Sequence, residues 1–295
     1  MQLNYSFKKE WAHFVRTGRL VGVILAIFSF ALSNPIMFRL CGVMMEMVEE
    51  SSGGGSMFAA AASAGTDGFG DVFGGIGISE IVSVYSDAGM MFATSASSFV
   101  GLSLLIVMLI LMSASGGEQK KRTMIVPMCS GLEYKNYLIP KFVIYPLITF
   151  ALTFISVITA GYLCNALFPV NKTADTIIFL VAAMYSVYML FIVCVYMSIG
   201  LCTSRPGVAA VIVYVGQSIL QSLFLGMNLT DYNPFTLINL PTAMVTEGFE
   251  LAESLPSIFV GMAISAVVAV LMFFLALGVL NAKRIDNTEE DRPEF

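Results

Sequence analysis

Charged residues are scarce in this sequence of 295 residues, since Asp, Glu, Lys and Arg together make up 12% of it, against about 25% in a soluble domain. Hydrophobic residues account for 57%, and the mean hydropathy is +0.84. A water-soluble fold of this composition would expose large apolar patches. The shortage of charge therefore excludes a soluble protein and predicts an integral membrane protein.

The sequence also lacks the residue patterns of catalysis and cofactor binding. Its single histidine, His13, lies in a basic amino-terminal stretch, and its five cysteines form no Cys-x-x-Cys pair. It contains no G-x-x-x-x-G-K-[ST] motif, the P-loop with which many proteins bind ATP phosphates. We therefore expect no catalytic residue, no metal site and no cofactor on this chain.

Six long runs without a charged residue predict six membrane-spanning helices. The runs are 19 to 30 residues long, and a helix of about 20 residues crosses the hydrocarbon core of a bilayer. Their Leu, Ile, Val, Phe, Ala and Met content favours helices over barrel strands. The predicted spans cover about residues 20–40, 89–112, 142–164, 176–199, 207–227 and 257–280. Residues 1–295 are thus predicted to form one all-α transmembrane domain.

Lysine and arginine are distributed unevenly between the predicted loops, and this asymmetry predicts the orientation. With both termini inside, the inner segments hold thirteen of the fifteen, and only Arg39 and Lys172 fall outside. Cytoplasmic segments of membrane proteins carry such an excess of positive charge. The resulting topology has an outer loop over 41–88, an inner loop over 113–141, an outer re-entrant or interfacial segment over 228–256, and a cytoplasmic tail over 281–295.

Residues 1–19 predict an amphipathic helix that lies in the inner headgroup layer. Apolar residues recur at helical spacing, and the basic residues lie off that face. The predicted interfacial anchor consists of Phe7, Trp11 and Phe14. Such a helix is either a plain anchor or a brace that supports the first span and touches an inner partner.

The inner loop between spans two and three combines charged residues with short apolar groups. A loop of this kind can fold into short helices that present apolar contacts within a charged rim, as protein-docking elements do. The alternative is a solvated positive loop. The candidate docking residues are Glu118, Lys120, Lys121, Arg122, Glu133 and Lys135.

The predicted spans carry no ionisable residue at mid-depth. A proton- or sodium-coupled carrier normally needs a carboxylate, histidine or lysine there, so we expect a path or gate whose energy comes from another protein. Polar stripes on spans four and five either hold helices together or line a path for an amphipathic cargo. The candidate path residues are Tyr185, Tyr188, Tyr196, Tyr214, Gln217 and Gln221.

Several local motifs resemble those of type-2 ABC transporter permeases, the ABC-2 family. The opening FKKEWAHFVRTGRLVGVILAIFSFALSNP is similar to the basic interfacial helix that precedes the family's first span. The inner loop GEQKKRTMIVPMCSGLEYKNYLIPKF is similar to a family pattern of Glu, Gly-Thr, Pro and Lys, and NPF at residues 233–235 is similar as well. In the loop, Arg122 replaces the usual Gly. The matching positions are Glu118, Thr123, Pro127 and Lys141.

The resemblance implies that the inner loop is a coupling element that inserts into a separate ATP-binding subunit, and it adds Thr123 and Pro127 to the coupling residues. It implies two permease chains, identical or homologous, over two ATPases that bind the ATP and Mg. The cargo would be an amphipathic or hydrophobic peptide, lipid or drug-like molecule, exported by alternating access.

The expected location is the plasma membrane of a bacterium, as a multi-pass protein in contact with lipid and without a nucleic-acid partner. Two other functions are compatible with the sequence. The chain could be a non-transporting membrane anchor that recruits a cytoplasmic regulator. It could also be a secondary carrier, although its uncharged spans disfavour this function.

Overall fold

A computed structural model describes residues 2–51, 87–97, 101, 103–115, 117, 133–203, 205–227, 232–244 and 251–290. Within these residues the chain is helical and contains no strand, which confirms the predicted all-α class. The helices are α1 (Gln2–Arg16), α2 (Arg19–Ser51), α3 (Ala88–Ser97), α4 (Leu104–Ile110), α5 (Tyr134–Leu167), α6 (Asp175–Thr203), α7 (Pro206–Gly226), α8 (Thr236–Ala243) and α9 (Leu251–Glu290).

Five helices in the described part of the chain are long and apolar enough to cross a membrane. They comprise Arg19–Met44, Tyr134–Leu167, Asp175–Thr203, Pro206–Gly226 and Ser254–Ala282. Their length and composition match the thickness and polarity of a bilayer core. The prediction of a multi-pass helical membrane protein is therefore confirmed.

The second predicted span, residues 89–112, is described only in part. It contains α3 and α4, then a 3-10 turn at Leu111–Ser113. Residues 98–100 and 102 lie outside the described part, and neither short helix alone reaches the length of a span. The six-span count stays a prediction.

Two helices extend into segments that the sequence predicted as loops. Residues 41–51, assigned to the outer loop, continue α2, since the Met and Glu residues there are strong helix formers. Residues 134–141, assigned to the inner loop, form the first turns of α5. Between α1 and α2, Gly18 has φ +69°, a conformation that glycine adopts without steric cost and that ends the first helix.

Helix α6 lies at the centre of the bundle and packs against α5, α7 and α9. It is the most buried of the five candidate spans, whereas α2, α7 and α9 each expose an apolar face. At two glycines, a neighbouring segment lies very close to the helix backbone. A Cβ at Gly161 would lie 2.8 Å from the Ile178 side chain, and one at Gly200 would lie 2.5 Å from the Ser115 carbonyl oxygen. Small residues allow membrane helices to pack this tightly.

We predict that Gly200→Ala destabilises the bundle. The added methyl would collide with a backbone oxygen, which cannot rotate away, so the chain segments must separate; overpacking of this kind costs about 1–3 kcal/mol. The matched control is Gly278→Ala in α9, where the new Cβ meets nothing within 4 Å. Thermal unfolding in detergent should show a midpoint several degrees lower for Gly200→Ala and unchanged or higher for Gly278→Ala. Equal midpoints would contradict the tight contact.

Candidate functional site

A polar cavity of about 210 Å³ lies among the end of α3, α6, α7 and α8. Hydroxyl and amide groups dominate its wall, and none of the described residues around it is charged. The lining residues are Ser97, Gly101, Tyr185, Tyr214, Gln217, Ser218, Gln221 and Ile238. The arrangement offers uncharged hydrogen-bond donors and acceptors inside an apolar bundle.

The sequence of α7 explains one wall of the cavity. Tyr214, Gln217 and Gln221 follow a spacing of three and four residues, which places their side chains on one face of a helix. Pro206 begins this helix at a position where its missing N–H costs no hydrogen bond. On the opposite wall, Tyr185 of α6 donates a hydrogen bond to the Ile238 carbonyl oxygen, 3.5 Å away.

Four of the six candidate path residues, Tyr185, Tyr214, Gln217 and Gln221, thus line one cavity. The other two do not line it. Tyr188 lies directly behind the wall, fully buried, and donates to Gln217 Oε1 at 3.1 Å. Tyr196 donates to the Pro206 carbonyl oxygen at 3.4 Å, at the opposite end of α7 from Gln221.

The same polar side chains also join helices to one another. Gln217 accepts its hydrogen bond from α6, and Gln221 Nε2 donates to Asn239 Oδ1 of α8 at 2.7 Å. These side chains therefore join helices and also line the cavity, and a path for an amphipathic cargo stays a prediction. Asn239 and Ile238 were not predicted as site residues, because they lie in the segment 228–256 with no periodic pattern of their own.

The short helix α8, within that segment, is buried against α3, α6 and α9. The NPF motif begins it: Asn233 Oδ1 accepts hydrogen bonds from the backbone N–H groups of Phe235 at 2.8 Å and Thr236 at 3.2 Å. An Asn side chain at a helix start satisfies N–H groups that would otherwise have no partner. Phe235 in turn packs against Tyr188 and Phe224. The NPF motif thus holds α8, which contributes Ile238 to the wall of the cavity, in place.

A second polar site, which we name the Glu10–Lys141 cluster and which consists of Glu10, Lys141 and Tyr145, lies where α1 packs against α5. Lys141 Nζ is 3.5 Å from Glu10 Oε1, and the Tyr145 hydroxyl donates to Glu10 Oε2 at 3.1 Å. The side chain of Lys141 is 0% exposed and that of Glu10 is 5% exposed. Lys141, which the sequence assigned to the inner loop, thus lies in a helix and inside the protein.

Sequence reasoning missed Glu10, although a signal was present. Glu10 follows Phe7 by three residues and precedes Phe14 by four, so it shares their helix face rather than that of the cations. Of the predicted anchor, Phe14 is 1% exposed and meets the Tyr145 ring edge-on at 5.1 Å. Phe7 is half-buried, whereas Trp11 remains 50% exposed. Helix α1 therefore packs on the protein through the Phe7–Phe14 face and leaves Trp11 at the surface.

Two of the candidate coupling residues lie in the described part of the chain. Glu133, directly before α5, and Lys135, in its first turn, form an exposed ion pair at 2.9 Å. The remaining ones are outside the described residues: Glu118, Lys120, Lys121, Arg122, Thr123 and Pro127.

The two polar sites differ in chemistry. The cavity is neutral, and the Glu10–Lys141 cluster is charged and closed to solvent. Among the described residues no group of three or more His, Cys, Asp or Glu side chains could hold a metal ion. No protein-family model matches the chain, and no curated protein or solved structure gives a significant match.

Proposed function

We propose that this chain is the membrane-spanning permease subunit of an ATP-driven ABC exporter. The observation that carries the proposal is the uncharged polar cavity inside a bundle of apolar helices. Its described lining provides hydrogen bonds for a neutral polar group but no carboxylate, histidine or lysine that could couple its occupation to an ion gradient. The energy for transport then comes from a separate subunit.

The size and surroundings of the cavity favour an amphipathic cargo. Sites that enclose a whole drug-sized ligand have volumes of about 300–1,000 Å³, so a cavity of about 210 Å³ takes the polar part of a larger molecule. Ser218, one of its lining residues, is exposed, and the neighbouring Val215 and Ile219 belong to the exposed apolar face of α7. The apolar part of a lipid, peptide or drug-like cargo would lie against that face.

In this proposal the chain has six spans with both termini in the cytosol, and the inner loop contacts an ABC ATP-binding subunit that holds ATP and Mg. Two permease chains, identical or homologous, pair in the plasma membrane of a bacterium. The exposed Glu133–Lys135 ion pair at the start of α5 supports a docking role for the end of that loop, since both side chains are accessible to a partner. ATP binding would favour one of two arrangements of the spans.

The charged cluster does not favour a secondary carrier. None of its three residues lines the cavity, and its carboxylate is already bound by an ammonium and a hydroxyl group. A carrier driven by protons needs an ionisable group that communicates with the cargo site. Uphill transport by the chain alone, reconstituted in vesicles with an ion gradient, would overturn the proposal.

The coupling loop can be tested by co-purification. We expect the native chain, isolated in mild detergent, to bring with it an ATP-binding-cassette protein identified by mass spectrometry. Glu118→Ala and Lys121→Ala should each reduce this recovery about tenfold, because losing a charge-assisted contact costs about 1.5–3 kcal/mol. Lys172→Ala is the control, since Lys172 is an exposed cation in a predicted outer loop. Unchanged recovery in both loop variants, together with unchanged ATP hydrolysis, would contradict the coupling role.

The cavity can be tested with a pair of variants that separate its two roles. Gln217→Leu removes a polar lining group and also the hydrogen bond from Tyr188, whereas Tyr188→Phe removes the same bond without altering the lining. We expect Gln217→Leu to change the cargo concentration for half-maximal export or stimulated hydrolysis five- to tenfold. Tyr188→Phe should leave it near the native value, because a hydrogen bond between membrane helices contributes on average about 0.6 kcal/mol.

The same measurement on Gln221→Leu should give a shift similar to that of Gln217→Leu, since both amides face the cavity. Equal transport by the Gln217→Leu, Gln221→Leu and Tyr188→Phe variants, for every cargo tried, would identify these side chains as helix contacts alone.

A further inference from the structure

One buried ammonium group joins three separate parts of the fold. Lys141 Nζ in α5 lies 3.5 Å from the Glu10 carboxylate of α1 and donates a hydrogen bond to the Ala114 carbonyl oxygen at 3.4 Å. Ala114 directly follows the 3-10 turn that ends the α4 segment. The ammonium also lies 4.7 Å above the centre of the Tyr137 ring. These contacts connect residues separated by up to 131 positions in sequence.

The placement of Lys141 is informative because of the segment that lies between its contacts. The predicted inner loop covers residues 113–141, and both of its ends lie in the described part of the chain. Ala114 lies at the start of this loop, and Lys141, at its end, lies two turns into α5. The hydrogen bond from Lys141 to Ala114 therefore fastens the two ends of the loop to each other, and the ion pair fastens both to α1.

Around Lys141, α5 contains residues that favour a bend in a helix. Pro140 and Pro146 both lie inside α5, and each removes a backbone hydrogen bond to the residue four positions earlier. Thr149 adds hydrogen bonds from its hydroxyl to the carbonyl oxygens of Tyr145 and Pro146, a local pattern that bends helices. Lys141 and Tyr145, the two α5 residues that contact Glu10, lie between the prolines.

Stability alone does not account for a charged pair at this position. Replacing a buried ion pair by apolar side chains of similar volume is often neutral or stabilising. Apolar packing is non-directional, so it would hold α1 near α5 without fixing their relative position. An ammonium group is different, because its several N–H donors can bind a carboxylate and a carbonyl oxygen at once.

We propose that Glu10 and Lys141 are positioning residues that make α1, the end of the α4 segment and the part of α5 between Pro140 and Pro146 move as one unit. A displacement of the inner loop, in the transport cycle proposed above, then reaches the third predicted span through Lys141 and the amino-terminal helix through Glu10. This inference rests on the proposed function for its role in transport. The mechanical link itself depends only on the contacts of Lys141.

The link can be measured by hydrogen–deuterium exchange on the full chain in lipid nanodiscs. The test variant is the apolar pair Glu10→Leu/Lys141→Met, which keeps the volume and removes the charges. We expect a thermal midpoint near that of the native chain but amide exchange about tenfold faster in both α1 and Leu111–Ser115. The control is Lys9→Met, which removes an exposed cation from the same helix and should leave exchange unchanged at both places.

The charge swap Glu10→Lys/Lys141→Glu separates the two contacts. It restores an ion pair between α1 and α5, but the carboxylate introduced at position 141 cannot donate to the Ala114 carbonyl oxygen. Exchange in α1 should stay near the native rate, while exchange in Leu111–Ser115 should rise as in the apolar pair. Native exchange at both places in the apolar pair, or faster exchange in α1 alone, would overturn the proposed link whether or not an ATPase is recovered.

The transport role has its own readout in the complex with the co-purified ATPase. The apolar pair should leave basal ATP hydrolysis within twofold of native and abolish its stimulation by cargo. Retained stimulation in the apolar pair would show that the ionic contacts are structural only. Absence of any ATPase in the native preparation would instead refute the proposed function, and the exchange data would still decide the mechanical link.

Discussion

Polar groups inside a membrane bundle have to find partners within the protein, because lipid offers them none, and an unsatisfied group costs several kcal/mol. This requirement governs the arrangement of the chain's interior. Tyr188 is paired with Gln217, and Gln221 with Asn239. The Glu10 carboxylate is paired with both an ammonium and a phenol. Each of these pairings crosses from one helix to another, so the polar residues join neighbouring helices.

Two chemically distinct kinds of pairing meet this requirement in the described interior. Around the cavity the partners are neutral amides and hydroxyls, whose hydrogen bonds can be exchanged for those of a cargo at small cost. In the Glu10–Lys141 cluster the partners are charged, and separating them would leave an uncompensated charge in the interior. The hydrogen bonds around the cavity are thus weaker than the ionic contacts of the Glu10–Lys141 cluster. In the proposed transporter, cargo binding and mechanical coupling would therefore occupy different parts of the bundle.

Helix α6 provides the frame between these two parts. Its Tyr185 lines the cavity, while Gly200, near its end, meets the Ser115 carbonyl oxygen at close range. Ser115 is the immediate neighbour of Ala114, which accepts the hydrogen bond from Lys141. The same short stretch after the 3-10 turn therefore contacts both the central helix and the charged cluster. A displacement there has a direct physical route to the helix that faces the cavity.

The sequence by itself determined the class of protein, the five long apolar helices and the polar face of α7, because each depends on composition or on periodicity within one segment. Tertiary structure alone decided that Lys141 meets Glu10 and Ala114, and that Ile238 and Asn239 complete the cavity. Those contacts join residues far apart in sequence, and local periodicity carries no information about which helix faces will meet. Glu10 illustrates the difference between local pattern and tertiary packing. Its helix face could be derived from residue spacing, but its partner followed only from the packing of α1 on α5.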